Sequence, residues 1–208
     1  METPILTKQI QSRLLQIARE TIALCFDKST PQDPFKANQE DCFRRQLKKY
    51  EPLNLPLLKE SRSCFVTLHT FREGKKTLRG CIGTLEPRKG ESLLENLINN
   101  SLSAAFNDSR FDPLQAEELD FIKIEISILT RPVSIRFNSP DHLFKQIQNK
   151  GVVLQSGYHR ATFLPQVWEQ VPDPELFCKH LAQKAGLPAD GYLSATYQIY
   201  EVYSFEEA

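Results

Sequence analysis

Ile122-Lys123-Ile124-Glu125-Ile126-Ser127-Ile128-Leu129 places isoleucine at every second position over four repeats. A period of two is that of a β-strand with one face in a core. Its other face carries Lys123, Glu125 and Ser127. That face is either plainly solvated or lines a cleft. In the second case Glu125 is a candidate general base or metal-binding carboxylate.

Upstream of this strand, Cys64 to Phe71 and Lys76 to Thr84 read as a β-hairpin turning at Gly74. Between them and the strand, Glu91 to Phe106 has a broad apolar face (Leu93, Leu94, Leu97, Ile98), which predicts a helix packed deeply on a sheet. Leu6, Ile10, Leu14, Ile17, Thr21 and Leu24 recur at helical spacing, so a first helix is expected from about Pro4 to Asp27. Segment 28–59 contains four prolines and reads as a loop around a short helix at Asp41 to Tyr50, a loop-rich excursion or part of a smaller lobe.

Downstream, Ser139-Pro140 is an N-cap followed by proline and opens a helix to about Gln148. Gly151 to Gln155 and Arg160 to Leu164 form a second expected hairpin. A helix from Pro174 to Ala185 should stop at Gly186, and a long final strand, Leu193 to Phe205, should bend or bulge. Hairpins and single strands mixed with helices favour an α+β fold, with a mainly antiparallel or mixed sheet flanked by helices. The whole chain, 1–208, reads as a single domain, without internal repeats.

Lys plus Arg and Asp plus Glu both total 26, so no global field draws the chain to nucleic acid or anionic lipid. No apolar run approaches a membrane span, and the charged N-terminus is unlike a signal peptide. A cytoplasmic protein is expected. Its five cysteines are odd in number and widely spaced, which favours free thiols over a disulfide framework. Neither cysteines nor histidines have zinc-finger spacing, so no metal site is read and no cofactor is named. The motifs G-x-S-x-G, G-x-G-x-x-G and the P-loop are absent.

Leu78-Arg79-Gly80-Cys81-Ile82-Gly83-Thr84 raises the sharpest question. Strict alternation would put Arg79, Cys81 and Gly83 on one face and Leu78, Gly80, Ile82 and Thr84 on the other. A guanidinium beside a thiol activates it or anchors an anionic ligand, and flanking glycines open room for a ligand. The competing reading is a small apolar cysteine filling a tightly packed strand. Asp108 and Arg110, two apart after the broad-faced helix, form a local ion pair or position a ligand at a helix end. His159, Arg160 and Thr162 in the second hairpin are either ordinary exposed residues or part of a site.

Leu78 to Thr84 resembles the signature of the AMMECR-type domain. That family is named for the Alport syndrome, intellectual disability, midface hypoplasia and elliptocytosis chromosomal region. Phe65-Val66-Thr67-Leu68, Asp108-Ser109-Arg110-Phe111, Glu125-Ile126-Ser127, Thr162 to Trp168 and Lys184 to Leu187 are similar to further family blocks, in the same order. Two departures are Ser63-Cys64, where the family commonly has glycine before its FVTL block, and Ser109, where it commonly has proline.

The resemblance implies two unequal lobes with the signature beside a cleft. It also implies a component of a modification pathway, the AmmeMemoRadiSam system, with a Memo-like protein and a radical S-adenosylmethionine protein as partners. Cys81 and Glu125 are then the catalytic candidates. Arg79, Gly80, Gly83 and Thr84 are ligand contacts from the signature; Asp108, Arg110 and Thr162 are ligand contacts from elsewhere. The alternative is a non-catalytic binding or scaffold module for the same partners.

Overall fold

The computed structural model describes residues 6–27, 37–72 and 74–208. It is an α+β fold of two compact units. Thr130–Val202 form one, and the described residues up to Leu129 together with Tyr203–Ala208 form the other.

The larger unit is built on a four-stranded sheet. Its strands are β1 (Cys64–Arg72), β2 (Lys75–Gly83), β3 (Ile122–Leu129) and β8 (Val202–Glu206), in the order β2-β1-β3-β8. β1 pairs antiparallel with both β2 and β3. The isoleucines of β3 are all buried, as their period of two requires, together with Val66 and Leu68 of β1. Helix α4 (Leu93–Phe106) covers that face, opened by a capping box between Ser92 and Glu95. Helix α1 (Lys8–Leu24) packs beside α4 and contributes Leu14, Ile17 and Ile22 to the same core.

Within the proline-rich segment, residues 28–36 lie outside the described ones. The remainder holds α2 (Ala37–Tyr50) and the short α3 (Pro56–Lys59). Cys42, Tyr50, Leu57 and Leu58 from these helices are buried in the core of the larger unit.

The smaller unit carries the second sheet, order β4-β7-β5-β6: β4 (Val133–Ile135), β5 (Gly151–Ser156), β6 (His159–Phe163) and β7 (Thr196–Tyr200). Its helices are α5 (Pro140–Ile147), α6 (Val167–Gln170) and α7 (Pro174–Lys184). Its core is separate, centred on Leu154, Trp168, Phe177, Leu181 and Tyr197.

The expected long final strand is two strands. The chain leaves the second sheet at Tyr200 and enters the first at Val202. Glu201 lies between the two strands, its N–H donating to Thr130 Oγ1 and its carbonyl accepting from Thr130 N, both at 2.9 Å. Alternation continues through such a change of sheet, so the sequence pattern reads as one strand with a bend.

Candidate functional site

β2 is an edge strand. Its pairing with β1 runs Gly83 to Phe65, Ile82 to Val66, Cys81 to Thr67 and Gly80 to Leu68, then skips Arg79, so that Leu78 faces His69. Arg79 is the extra residue of a β-bulge. Strict alternation across Leu78 to Thr84 is therefore broken: the register puts Leu78, rather than Arg79, on the face of Cys81.

The Arg79 guanidinium is held elsewhere. It donates to both carboxylate oxygens of Glu118, at 2.7 and 2.9 Å, with both side chains largely buried. It also lies 5.9 Å from the centre of the Phe111 ring. The Glu118 carboxylate raises the Arg79 pKa further above its ordinary value.

The two glycines of the motif are forced by packing. A Cβ on Gly80 would sit 2.1 Å from the carbonyl oxygen of Ala104 in α4. One on Gly83 would sit 2.2 Å from the Phe65 ring and 2.7 Å from Phe65 Cα. The space freed by the absent side chains is filled by a helix backbone and a ring.

Asp108 and Arg110 cap the open edge of β2, standing in for a neighbouring strand. Asp108 Oδ2 accepts the Cys81 N–H at 2.8 Å, and Arg110 Nη2 donates to the Cys81 carbonyl at 3.2 Å. The two side chains are themselves paired through contacts of 2.7 and 2.9 Å. Asp108 is only 6% exposed. Arg110, followed by the N–H groups of Cys81 and Arg110, holds its carboxyl well below the ordinary carboxylate range. Thr84 has a structural partner too, since its Oγ1 accepts from Asn96 Nδ2 at 2.8 Å. Asn96 in turn accepts the Cys64 N–H at 2.9 Å, and Asn100 donates to the Cys64 carbonyl at 3.0 Å.

What the motif presents outward is Cys81. It is half-buried, and Thr67 Oγ1 donates to its sulfur at 3.2 Å. Thr67 is in register with Cys81 on one side and with Glu125 on the other. Cys81, Thr67 and Glu125 thus form a row across three strands on the face opposite α4. The two catalytic candidates share a face, which the sequence alone could not establish.

Two residues further along β1 from Thr67, the next side chain on this face is His69. Its Nδ1 lies 4.0 Å from Glu125 Oε2 and is buried without a hydrogen-bond partner among the described residues. Burial, reinforced by the Lys76 ammonium, lowers the His69 pKa and keeps the ring neutral near pH 7. His69, Glu125 and Glu206 offer ligand atoms within 4.8 Å of one another. Lys76 Nζ already supplies positive charge there, 2.5 Å from Glu206 and 3.7 Å from Glu125. Thr67, His69, Lys76 and Glu206 are additions to the residues singled out from sequence. The pairing of β1 with β2 and β3, and the placing of β8 beside β3, brings them beside Cys81 and Glu125.

Thr162 belongs to the smaller unit. Its Oγ1 donates to the Val152 carbonyl at 2.9 Å and lies 3.0 Å from the Tyr200 hydroxyl. In the same hairpin, His159 Nδ1 lies 2.9 Å from the Ala185 carbonyl at the end of α7.

The site is a glycine-flanked thiol on a bulged edge strand of an α+β protein, clasped by Asp108 and Arg110. The chain belongs to the AMMECR1 family, whose family model matches residues 15–207. It is 43% identical over 153 residues to Protein MJ0810 of Methanocaldococcus jannaschii, covering 71% of this chain and 74% of that protein. Protein MK0488 of Methanopyrus kandleri is 36% identical over 160 residues, covering 72% and 73%. Among solved structures, uncharacterized protein PH0010 from Pyrococcus horikoshii is similar with a TM-score of 0.67 and 29% identity, covering 94% of this chain and 90% of that one. Among the described residues no helix is long and apolar enough to cross a membrane.

Proposed function

We propose that this protein is a cytoplasmic component of a modification pathway, with a small-molecule or modified-residue site on the polar face of its first sheet. The reacting or contacting group is the Cys81 thiol. Glu125 handles the proton, and Thr67 orients the sulfur. The observation that supports this reading is the in-register row Cys81, Thr67, Glu125. Arg79, Asp108 and Arg110 act through the backbone that carries the thiol. Gly80 and Gly83 let that backbone pack, so the motif is a mount for one sulfur. Thr162 has no assigned role in this row.

Timed alkylation of the folded protein with iodoacetamide, read by peptide mass, tests the proposal. Cys81 is expected to react well ahead of Cys64 and Cys178. Those two are buried, and desolvation pushes each thiol up to about 12. Glu125→Gln is expected to slow the Cys81 reaction several-fold while leaving the melting temperature close to the parent value. Cys81 labelling no faster than the two buried thiols would reject the site.

A second reading is favoured by one observation. Arg79, Asp108 and Arg110 all have partners inside the fold, as expected of a docking module with no need for free catalytic charge. In that reading the protein holds a Memo-like or radical S-adenosylmethionine partner, and Cys81→Ser preserves pathway output. Loss of output in Cys81→Ser with partner capture intact would reject it.

A further inference from the structure

Cys25 forms the C-cap of α1, and Cys42 lies in α2. Their Sγ atoms are 2.9 Å apart. That is inside the distance at which two sulfurs without a bond or hydrogen bond between them rest. Cys42 is fully buried, whereas Cys25 is half-buried and is the more accessible residue of the pair. The side chains sit on two helices that pack against each other, and both helices contribute to one core. Closing to a disulfide, at about 2.04 Å between sulfurs, needs under an ångström of approach and no separation of the helices.

We propose that Cys25 and Cys42 form a reversible dithiol–disulfide site that exchanges with low-molecular-weight disulfides of the glutathione type. The site lies apart from the Cys81 row and involves none of its residues. The Cys25 thiol donates toward Cys42, which lowers the Cys42 pKa and raises that of Cys25. A proton passing back across the same contact moves the negative charge to Cys25, the less buried residue of the two.

The Cys25 thiolate attacks one sulfur of the oxidant. Its S–S bond breaks, a Cys25–S–S–R mixed disulfide forms, and RS⁻ leaves to be protonated. The Cys42 proton passes to the departing RS⁻, and the Cys42 thiolate attacks the Cys25 sulfur, forming the protein disulfide and expelling the second RS⁻, which solvent protonates. In total the two protein thiols are oxidised, and one RSSR is reduced to two RSH. The product ties the end of α1 to α2, linking positions 17 apart in the chain. The tether restricts the unfolded chain, which favours the folded state.

The test uses the full chain in glutathione buffers of decreasing reduced-to-oxidised ratio. Samples are quenched in acid and labelled with N-ethylmaleimide, and intact mass and peptide maps are read. The expected result is loss of two labels in one step, a linked peptide pair containing Cys25 and Cys42, and recovery of both labels with dithiothreitol. The oxidised form should melt several degrees higher. Cys42→Ser should accumulate a stable glutathione adduct at Cys25, because no second thiol resolves it. If that variant does not fold, Cys25→Ala should give neither a linked peptide nor an adduct at the buried Cys42. Full labelling of both residues across the series would overturn the proposal. So would a stable mixed disulfide at Cys25 of the parent protein without the linked peptide. Neither outcome bears on Cys81, whose alkylation rate is measured separately.

Discussion

The Asp108 carboxylate accepts the backbone N–H of Cys81 at 2.8 Å, closing the open edge of the sheet at the residue that presents the thiol. An edge strand leaves a row of unpaired backbone groups, and here one carboxylate and one guanidinium take the place of the missing neighbour. The conformation of the strand at Cys81 therefore depends on a side-chain pair 27 and 29 positions further on.

Asp108→Asn keeps the shape and removes the charge. It is expected to cost about 2 kcal/mol at neutral pH, the range for a hydrogen bond to a charged group. The native carboxyl ionises below its ordinary value because Arg110 and the two N–H groups favour the charged form. Its stabilisation is thus fully present above the unfolded value, about pH 4, and fades as pH falls through the folded value. Urea titrations of both proteins should differ most at pH 7 and draw together progressively as pH falls below about 4. A pH-independent difference would assign the effect to packing instead.

Gly80→Ala tests whether the signature glycine serves packing. Its new Cβ would meet the Ala104 carbonyl, a backbone atom that cannot swing aside. Either β2 or α4 must shift, and a loss of about 3 kcal/mol is expected. Amide exchange should quicken in β2 and α4 together. A stability within 0.5 kcal/mol of the parent, on the order of an ordinary surface change, would show that the contact is not limiting.

Most elements were legible because their signals are local. The isoleucine period of β3, the Ser139-Pro140 start of α5 and the Gly186 end of α7 each act within a few residues. The pairing of Asp108 with Arg110 was legible for the same reason. Arg79 was misplaced because a bulge depends on the partner strand, and its real partner, Glu118, is 39 positions away. His69 and Glu206 join the Cys81 face only through strand pairing and the return of the chain at β8. The short β4 and α6 carry too few residues for a periodic signal.

Ser63 immediately precedes β1. The residue is buried, and its Oγ has no hydrogen-bond partner among the described residues. Its backbone carbonyl already accepts the Leu129 N–H at 3.0 Å, so the hydroxyl contributes nothing to the ladder. Ser63→Ala removes an uncompensated polar group without requiring new space. Stability is expected to rise by about 1 kcal/mol. A drop in the thermal midpoint would mean that the hydroxyl is satisfied in solution.

Trp168 and Phe177 stack in the smaller unit with ring centres 3.9 Å apart and planes 7° from parallel. The indole Nε1 donates to the Lys150 carbonyl at 2.9 Å, which fixes one end of the ring, while Phe163 meets Phe177 edge-on at 5.2 Å. Phe177 has no exposed surface. Phe177→Ala would therefore open a cavity against both aromatic neighbours and cost about 3–5 kcal/mol. Trp168 is the only tryptophan of the chain, so its fluorescence reports on this core alone. The expected result is a red-shifted emission and an earlier unfolding midpoint by fluorescence. Leu or Met at position 177 should recover part of the loss by refilling the volume. Unchanged emission and midpoint in Phe177→Ala would show that the stacked pair does not hold this core together.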